Sequence, residues 1–390
     1  MDKLVRRHIC LVYGTRPEAI KLAPVHRELR ARSAKFRTTV VVTAQHRQLL
    51  DQVLAVFGIK PDVDLDIMEH GQSLAQITCR ALQALQETLR DLGPDMVLVQ
   101  GDTTTVFAGA LAAFYESISV GHVEAGLRSG NKFSPYPEEI NRRMTGVLAD
   151  LHFAPTQDAK HKLLAESIAS DSIFVTGNTV IDALRTIAGS SGDVPKLTAQ
   201  LLDRVEEKLV LVTVHRRENL GVGLTAICSA LEQLAAKFED VSIIWPLHPN
   251  PAVQDAAGEL LGGKQRIVLC EPLDYFEFVP LLSRADLIIT DSGGIQEEAS
   301  ALGIPVLVTR DTTERPEGVD AGVARLVGVG TDAIVENATE LLTNPSAYAR
   351  MSRQVCPYGD GLAAERICDA LEYHFGMAEQ RPPDFDWTES

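Results

Sequence analysis

Residues 285 to 308 read ADLIITDSGGIQEEASALGIPVLV. The apolar run stops at Asp-Ser-Gly-Gly, a helical pattern follows, and Gly-Ile-Pro restarts a Val/Leu run. The stretch therefore reads strand, tight turn, helix, strand. The turn offers small residues and backbone amides at a helix start, where the macrodipole favours an anion. Yet Glu297 and Glu298 stand within the first turns of the same helix. A ligand for this turn has to suit both a positive helix end and a carboxylate.

The same rhythm extends outward in both directions. Towards the C-terminal half, KLVLVTVH, VSIIWPLH, RIVLCEP, LIITD and PVLVTR alternate with helical patterns. In the N-terminal half, HICLVYG, TTVVVTA, DMVLVQG, SVGHVEA, LHFAP and SIFVTG do likewise. Continuous β-branched runs between helices indicate parallel strands covered on both faces. Between the halves, AGSSGDVPKL at 188–197 has the composition of a linker. The expected architecture is α/β: two doubly wound domains, 1–190 and 197–361, with a terminal helical segment at 362–390 returning to the first. Ligands of such sheets bind beyond the carboxyl ends of the strands, so the active site is expected in the cleft between the domains.

Composition narrows the function. With 37 basic and 53 acidic residues, the net charge of −16 and the lack of a basic tract argue against nucleic acid. No window approaches the roughly 18 unbroken apolar residues of a membrane span. The basic start followed by a short apolar run is too brief for a signal peptide. Six scattered cysteines without a C-x-x-C pair point to a reducing cytoplasm and to no metal centre. GVGTDA at 328–333 matches a dinucleotide fingerprint only superficially, since no acidic residue closes a following strand. No cofactor is expected.

Chemistry-bearing residues gather at strand ends. GTRPEAIKLAPV sets Arg16 and Lys21 above the first strand, a phosphate-side pattern that a solvated helix start would also explain. In QGDTTT, Asp102 precedes a helix, so capping and function both remain open. Glu124 ends a buried strand, where an unpaired carboxylate is costly, which favours function. Glu138 and Glu139 follow Pro137, where acids commonly complement the helix dipole. TVHRRENLG places His215, Arg216 and Arg217 as an anion clamp with a proton donor, and WPLHPNP places His248, functional or structural, at the next strand end. Arg310 and Arg315 fall in a polar loop whose charges would ordinarily be solvated. The opening turn then fits a nucleotide sugar. Amides of Ser292, Gly293 and Gly294 would take phosphate oxygens, and Glu298 the ribose hydroxyls.

The strings GTRPEAIKLAPV, TAQHRQLLDQVL, QGDTTT, HVEAGLRSGN, PYPEEINRRMTGVLADLHFAPT, VTGNTVIDAL, VTVHRREN, DSGGIQEEA and RDTTERPE, in this order, resemble the non-hydrolysing UDP-N-acetylglucosamine 2-epimerase family nearly end to end. The resemblance implies two Rossmann-like domains of the glycosyltransferase-B type. It implies interconversion of UDP-GlcNAc and UDP-ManNAc by elimination and re-addition of UDP through a glycal. A hydrolysing epimerase releasing free ManNAc, or a glycosyltransferase of the same fold, is the alternative. Carried over by motif, Asp102, Glu124, Glu138 and His215 would be catalytic, and Arg16, Lys21, His248, Ser292, Gly293, Gly294, Glu298 and Arg315 would bind substrate. Gln45, Gln48 and Arg216, with Glu138 and His248, match an activating second-substrate site, although Gly71 stands where some members have a basic residue. The expected partners are a UDP-sugar and a second copy in a homodimer, with neither nucleic acid nor membrane.

Overall fold

The computed structural model describes residues 6–43, 47–69, 71–189, 194–353 and 355–389. All eleven apolar runs form strands. In chain order the first half contains β1 (Arg7–Tyr13), β2 (Phe36–Val42), β3 (Val63–Asp64), β4 (Met96–Gln100), β5 (Ser119–Val123), β6 (Leu151–Ala154) and β7 (Ile173–Val175). The second contains β8 (Lys208–Thr213), β9 (Val241–Pro246), β10 (Ile267–Cys270), β11 (Leu287–Thr290), β12 (Val306–Val308) and β13 (Ala324–Leu326). Sequence patterning missed β3 and β13. Both are short edge strands, and β13 (ARL) carries a charged residue where an apolar run would have marked it.

Every neighbouring pair is parallel. The first sheet runs β3-β2-β1-β4-β5-β6-β7 and the second β10-β9-β8-β11-β12-β13. Strand order therefore reverses between β1 and β4 in one sheet and between β8 and β11 in the other. At such a switch point the loops leaving the carboxyl ends diverge and open a crevice. The central strands are apolar on both faces because helices cover both: β4 and β11 are buried throughout.

Local sequence sets the helices. Ser73 and Gln76 form a reciprocal capping box at the start of helix Leu74–Leu92, and Gly93 ends it in the left-handed region at φ 53°. Its buried stripe, Ala81, Leu85 and Leu89, recurs every fourth residue and packs with Cys10, Val12, Val97, Val99 and Val106. In the other half, Ile227, Leu231 and Leu234 join Val210, Val212, Ile243, Trp245 and Ile289. Each such aliphatic side chain contributes about 1.5–3 kcal/mol of burial.

The chain divides into two compact units, Met1–Ala183 with Tyr358–Glu389, and Leu184–Pro357. Within the first unit, helix Ala363–His374 lies against helix Arg16–Ala31. Arg32 Nη1 reaches Asp369 at 2.6 Å and Glu372 at 3.0 Å, and Lys35 Nζ reaches Glu372 at 2.6 Å. Residues 190–193 of the expected linker lie outside the described residues. Among the described residues no helix is long and apolar enough to cross a membrane.

Candidate active site

In the first unit the loops after β1, β4 and β5 bring acidic groups to the switch point. Glu124, directly after β5, has φ 64°, a left-handed conformation that a non-glycine residue adopts at a cost of order 1–3 kcal/mol. Its carboxylate is buried and held from several sides. Lys21 Nζ donates to both oxygens at 2.6 and 2.8 Å, Asn178 Nδ2 donates to Oε1 at 2.8 Å, and Gln100 Nε2 donates to Oε2. Lys21, expected on a diphosphate, thus has its amine against a carboxylate 103 residues away.

Asp102 is not a helix cap. Thr103 fills that position for helix Thr104–Tyr115, its hydroxyl accepting the Val106 amide. The Asp102 carboxylate pairs instead with the buried Arg142 at 2.6 Å, and its carbonyl accepts from Asn141 Nδ2 at 3.0 Å. Burial pushes its carboxyl above the usual range; Arg142 opposes that, while Glu124 and Glu138 add to it. Glu138 opens helix Glu138–Leu148 from the same helix face that supplies Arg142. Its neighbour Glu139 is fully buried and structural, accepting the Ser129 amide and pairing with Arg143 at 3.1 Å.

The second unit gathers cations. Asp291, wholly buried where β11 ends, accepts the amides of His215 and Arg216 and the Asn219 side chain at 2.8–3.1 Å. Its Oδ1 also lies 3.4 Å from His215 Nδ1, so one carboxylate fixes the turn and the imidazole together. His215 stacks on His248 with centroids 5.1 Å apart and planes 11° from parallel. Burial lowers the His215 pKa; Asp291 opposes the shift, and His248 and Arg216 reinforce it. The imidazole is therefore biased towards neutral, as a general base requires. His248 Nδ1 accepts the Asn250 amide at 3.1 Å, which leaves Nε2 as the protonated nitrogen of its neutral form.

The loop expected to carry merely solvated charges does not. Glu314 pairs with Arg310 at 2.6 Å, Arg216 at 2.9 Å and Arg315 at 3.5 Å. Burial works against its charge, but Arg315, Arg216 and Arg310 prevail and hold its carboxyl down to about 2. Arg315 also pairs with the buried Glu297 at 2.7 Å. This guanidinium lies over the start of helix Gly293–Ala301: a Cβ on Gly293 would sit 3.1 Å from it and 3.2 Å from Glu314 Oε1. Three arginines and a helix N-terminus thus converge where the sequence placed an anion. The Ser292 amide is bonded to Thr290 Oγ1 at 2.9 Å, so among the three expected amides it is already engaged within the turn. Glu298 is buried and accepts the Tyr275 hydroxyl at 2.9 Å on Oε1.

Arg16 begins the helix after β1, above the same end of the sheet as Lys21. Gln45 and the side chains of Gln48 and Arg217 lie outside the described residues. Sequence reasoning missed Glu18, Asp291 and Glu314. Asp291 was within reach, since it too is an acid ending a buried strand, the argument applied to Glu124. Glu18 and Glu314 each combine near neighbours in sequence with one distant partner, Thr103 and Arg216 respectively, which no local pattern reveals.

The family model for UDP-N-acetylglucosamine 2-epimerase matches residues 27–372. The UDP-N-acetylglucosamine 2-epimerase of Bacillus subtilis (strain 168) is 53% identical over 378 residues, spanning 97% of this chain and 98% of that protein. That of Yersinia pestis is 52% identical, spanning 94% and 98%. A crystal structure of the Neisseria meningitidis UDP-GlcNAc 2-epimerase bound to UDP-GlcNAc superposes with TM-score 0.89 at 49% identity, covering 94% of this chain and all of that one. A glycotransferase of kitacinnamycin, 15% identical, shares the fold alone at TM-score 0.62. The architecture is accordingly the two-domain α/β fold found in these epimerases and in glycosyltransferases of the B type. From the matched strand-end motifs to the near-complete coverage of its relatives, the chain belongs to the UDP-N-acetylglucosamine 2-epimerase family.

Proposed function

We propose that this epimerase interconverts UDP-GlcNAc and UDP-ManNAc without hydrolysis. The proton on the second sugar carbon is not acidic, because the adjacent anomeric carbon is an acetal and offers no enolate. A carboxylate removes that proton as the anomeric C–O bond breaks. UDP departs with the electron pair and a glycal remains. Protonation at the second carbon from the other face and return of UDP to the anomeric carbon give the epimer.

The observation that carries this reading is the contrast between clustered carboxylates after β4 and β5 and clustered guanidinium groups after β8 and β12. Asp102, Glu124 and Glu138 exchange protons with the sugar; burial raises the Asp102 carboxyl, which makes its carboxylate a stronger base than a solvated aspartate. His215, aimed by Asp291, works beside the departing diphosphate. Arg16, Arg315, Ser292, Gly293 and Gly294 bear on the diphosphate and Glu298 on the ribose, while Lys21, also expected on the diphosphate, holds the Glu124 carboxylate and His248 stacks on His215 beside the substrate. Gln45, Gln48 and Arg216 are assigned to a second, activating UDP-GlcNAc, held weakly because Gly71 supplies no cation. Phe114, Tyr115 and Val147 are exposed on two packed helices, a face suited to a second copy in a homodimer. We place the enzyme in the cytoplasm.

Incubation with UDP-GlcNAc in deuterated water, followed by NMR, tests the reaction. UDP-ManNAc bearing deuterium at the second carbon is expected. Free ManNAc with UDP would overturn the non-hydrolysing assignment, and epimerisation without exchange would overturn the elimination.

A further inference from the structure

Glu18 is the fourth carboxylate at the first unit's switch point, and the mechanism above does not use it. It is 1% exposed, three residues into helix Arg16–Ala31. Its Oε2 accepts the Gly14 amide at 2.8 Å and its Oε1 accepts the Thr15 hydroxyl at 2.6 Å. A third hydrogen bond comes from the Thr103 hydroxyl, next to Asp102. Thr103 accepts the Val106 amide, so its own proton is directed to Glu18.

The surroundings form a knot of three strand ends. A Cβ on Gly14 would lie 2.0 Å from Thr43 Oγ1 and 2.6 Å from Thr105 Oγ1, and those hydroxyls are 3.0 Å apart. The turn after β1 is thereby wedged between the residues that follow β2 and β4. A capping box would explain an acid at this helical position, but it would use the N-cap residue's own amide and lie near solvent. Here the Thr15 side chain makes no capping bond, its hydroxyl donates to the acid, and the acid reaches a different turn. Burying a carboxylate to trim one helix end would be a poor exchange.

We propose that Glu18 is a positioning residue for the epimerase reaction: its carboxylate ties the turn after β1 to the turn after β4 and so sets where Asp102 stands. This rests on the reading of Asp102 as a group that acts on the sugar. Burial pushes the Glu18 carboxyl up to about 7, with Thr15, Gly14 and Thr103 pulling it down and Asp102 pushing further, so the ionised form depends on those three donors. Glu18→Gln keeps the shape but turns an amide N–H₂ towards hydrogen-bond donors, and the tie loosens.

The experiment is steady-state epimerisation of UDP-GlcNAc by wild type, Glu18→Gln and Thr15→Val, with thermal melting of each. Displacement of a catalytic group by a fraction of an ångström to one ångström costs roughly 10- to 100-fold in turnover. For Glu18→Gln we expect a kcat loss of that size, with KM within about threefold of wild type. Thr15→Val, which removes one donor, is expected to lose about three- to tenfold in kcat at an unchanged melting midpoint. Turnover within about twofold of wild type in both variants would overturn the proposal, as would a loss that vanishes once rates are counted per UDP-binding site. Should Glu18→Gln fail to fold, Thr15→Val decides by the same criteria. Failure of the proposed reaction would show in the wild type, whereas failure of this proposal shows only in the variants.

Discussion

The two units share one strand order around the reversal and differ in the chemistry placed there. In the first, the loops after β1, β4 and β5 carry Glu18, Asp102 and Glu124, with one lysine and one arginine to hold them. In the second, the loops after β8 and β12 carry three arginines around one glutamate. The topology provides the crevice, and side chains at equivalent strand ends decide whether it presents carboxylates or guanidinium groups. The sign of the carboxyl shifts follows the same division. Glu18 and Asp102 are pushed up, while Glu314 is held down.

The largest test breaks the proton side. Asp102→Asn, Glu124→Gln and Glu138→Gln should each lower turnover by about two or more orders of magnitude, with UDP binding by calorimetry retained. The comparison fails if a carboxylate variant instead weakens UDP binding at unchanged kcat.

A second test uses the opposite signs. The Glu18 carboxyl titrates near 7 in the folded chain against an ordinary 4.5, so the native state binds more protons in that window. Stability from this group is fully present below 4.5 and falls by roughly 3 kcal/mol as pH rises through 7. Glu314, at about 2 against 4.5, behaves in reverse: its contribution is present above 4.5 and is lost, again by roughly 3 kcal/mol, as pH falls towards 2. The buried His122 and His152, lowered chiefly by burial to about 3 and about 4, also lose stability on acidification and overlap the Glu18 window. Differences between wild type and Glu18→Gln, and between wild type and Glu314→Gln, isolate each term. Denaturant midpoints across pH should show the two differences sloping in opposite directions; parallel slopes would refute the contrast.

Much of this division was legible beforehand, for a physical reason. A buried parallel strand must be apolar on both faces, so eleven strands stood out as runs, and each run ended at its polar residue. β3 and β13 lacked that mark, being only two and three residues long. Residue types at strand ends could be read, but their partners could not. Lys21 with Glu124, and Arg216 with Glu314, are 103 and 98 residues apart, and no local pattern encodes such pairs. The arginine loop was misjudged because solvation is the ordinary fate of loop charges, whereas here mutual pairing allows their burial.

The anion side is sharpened by Gly293→Ala. The added methyl would press on the Arg315 guanidinium and on Glu314 at 3.1–3.2 Å, displacing the cation over the helix start without removing any charge. Losing one charge-assisted hydrogen bond corresponds to about tenfold in UDP affinity. Kd for UDP by calorimetry should rise by that factor, with the carboxylate-dependent deuterium exchange at saturating substrate nearly unchanged. An unaltered Kd would mean that Arg315 does not bear on the nucleotide.

The smallest effect tests whether stability can be changed away from both crevices. Asp182, in helix Thr179–Ala188, accepts the amides of Ala363 and Ala364 at 3.2 and 2.9 Å, and so caps the terminal helix on the first unit. Burial pushes its carboxyl up to about 6, with those two amides opposing the shift. Asp182→Ala leaves buried amides without their acceptor and should cost about 1–2 kcal/mol, or roughly 2–4 °C in melting midpoint. Asp182→Asn keeps one accepting oxygen but turns an N–H₂ towards the other amide, and should recover only part of that loss. Turnover per folded molecule should stay at the wild-type level in both, because neither crevice is touched. A fall in kcat comparable to that of Glu18→Gln would show that the terminal helix helps to place the catalytic carboxylates, and that proton chemistry in the first unit is not confined to its strand ends.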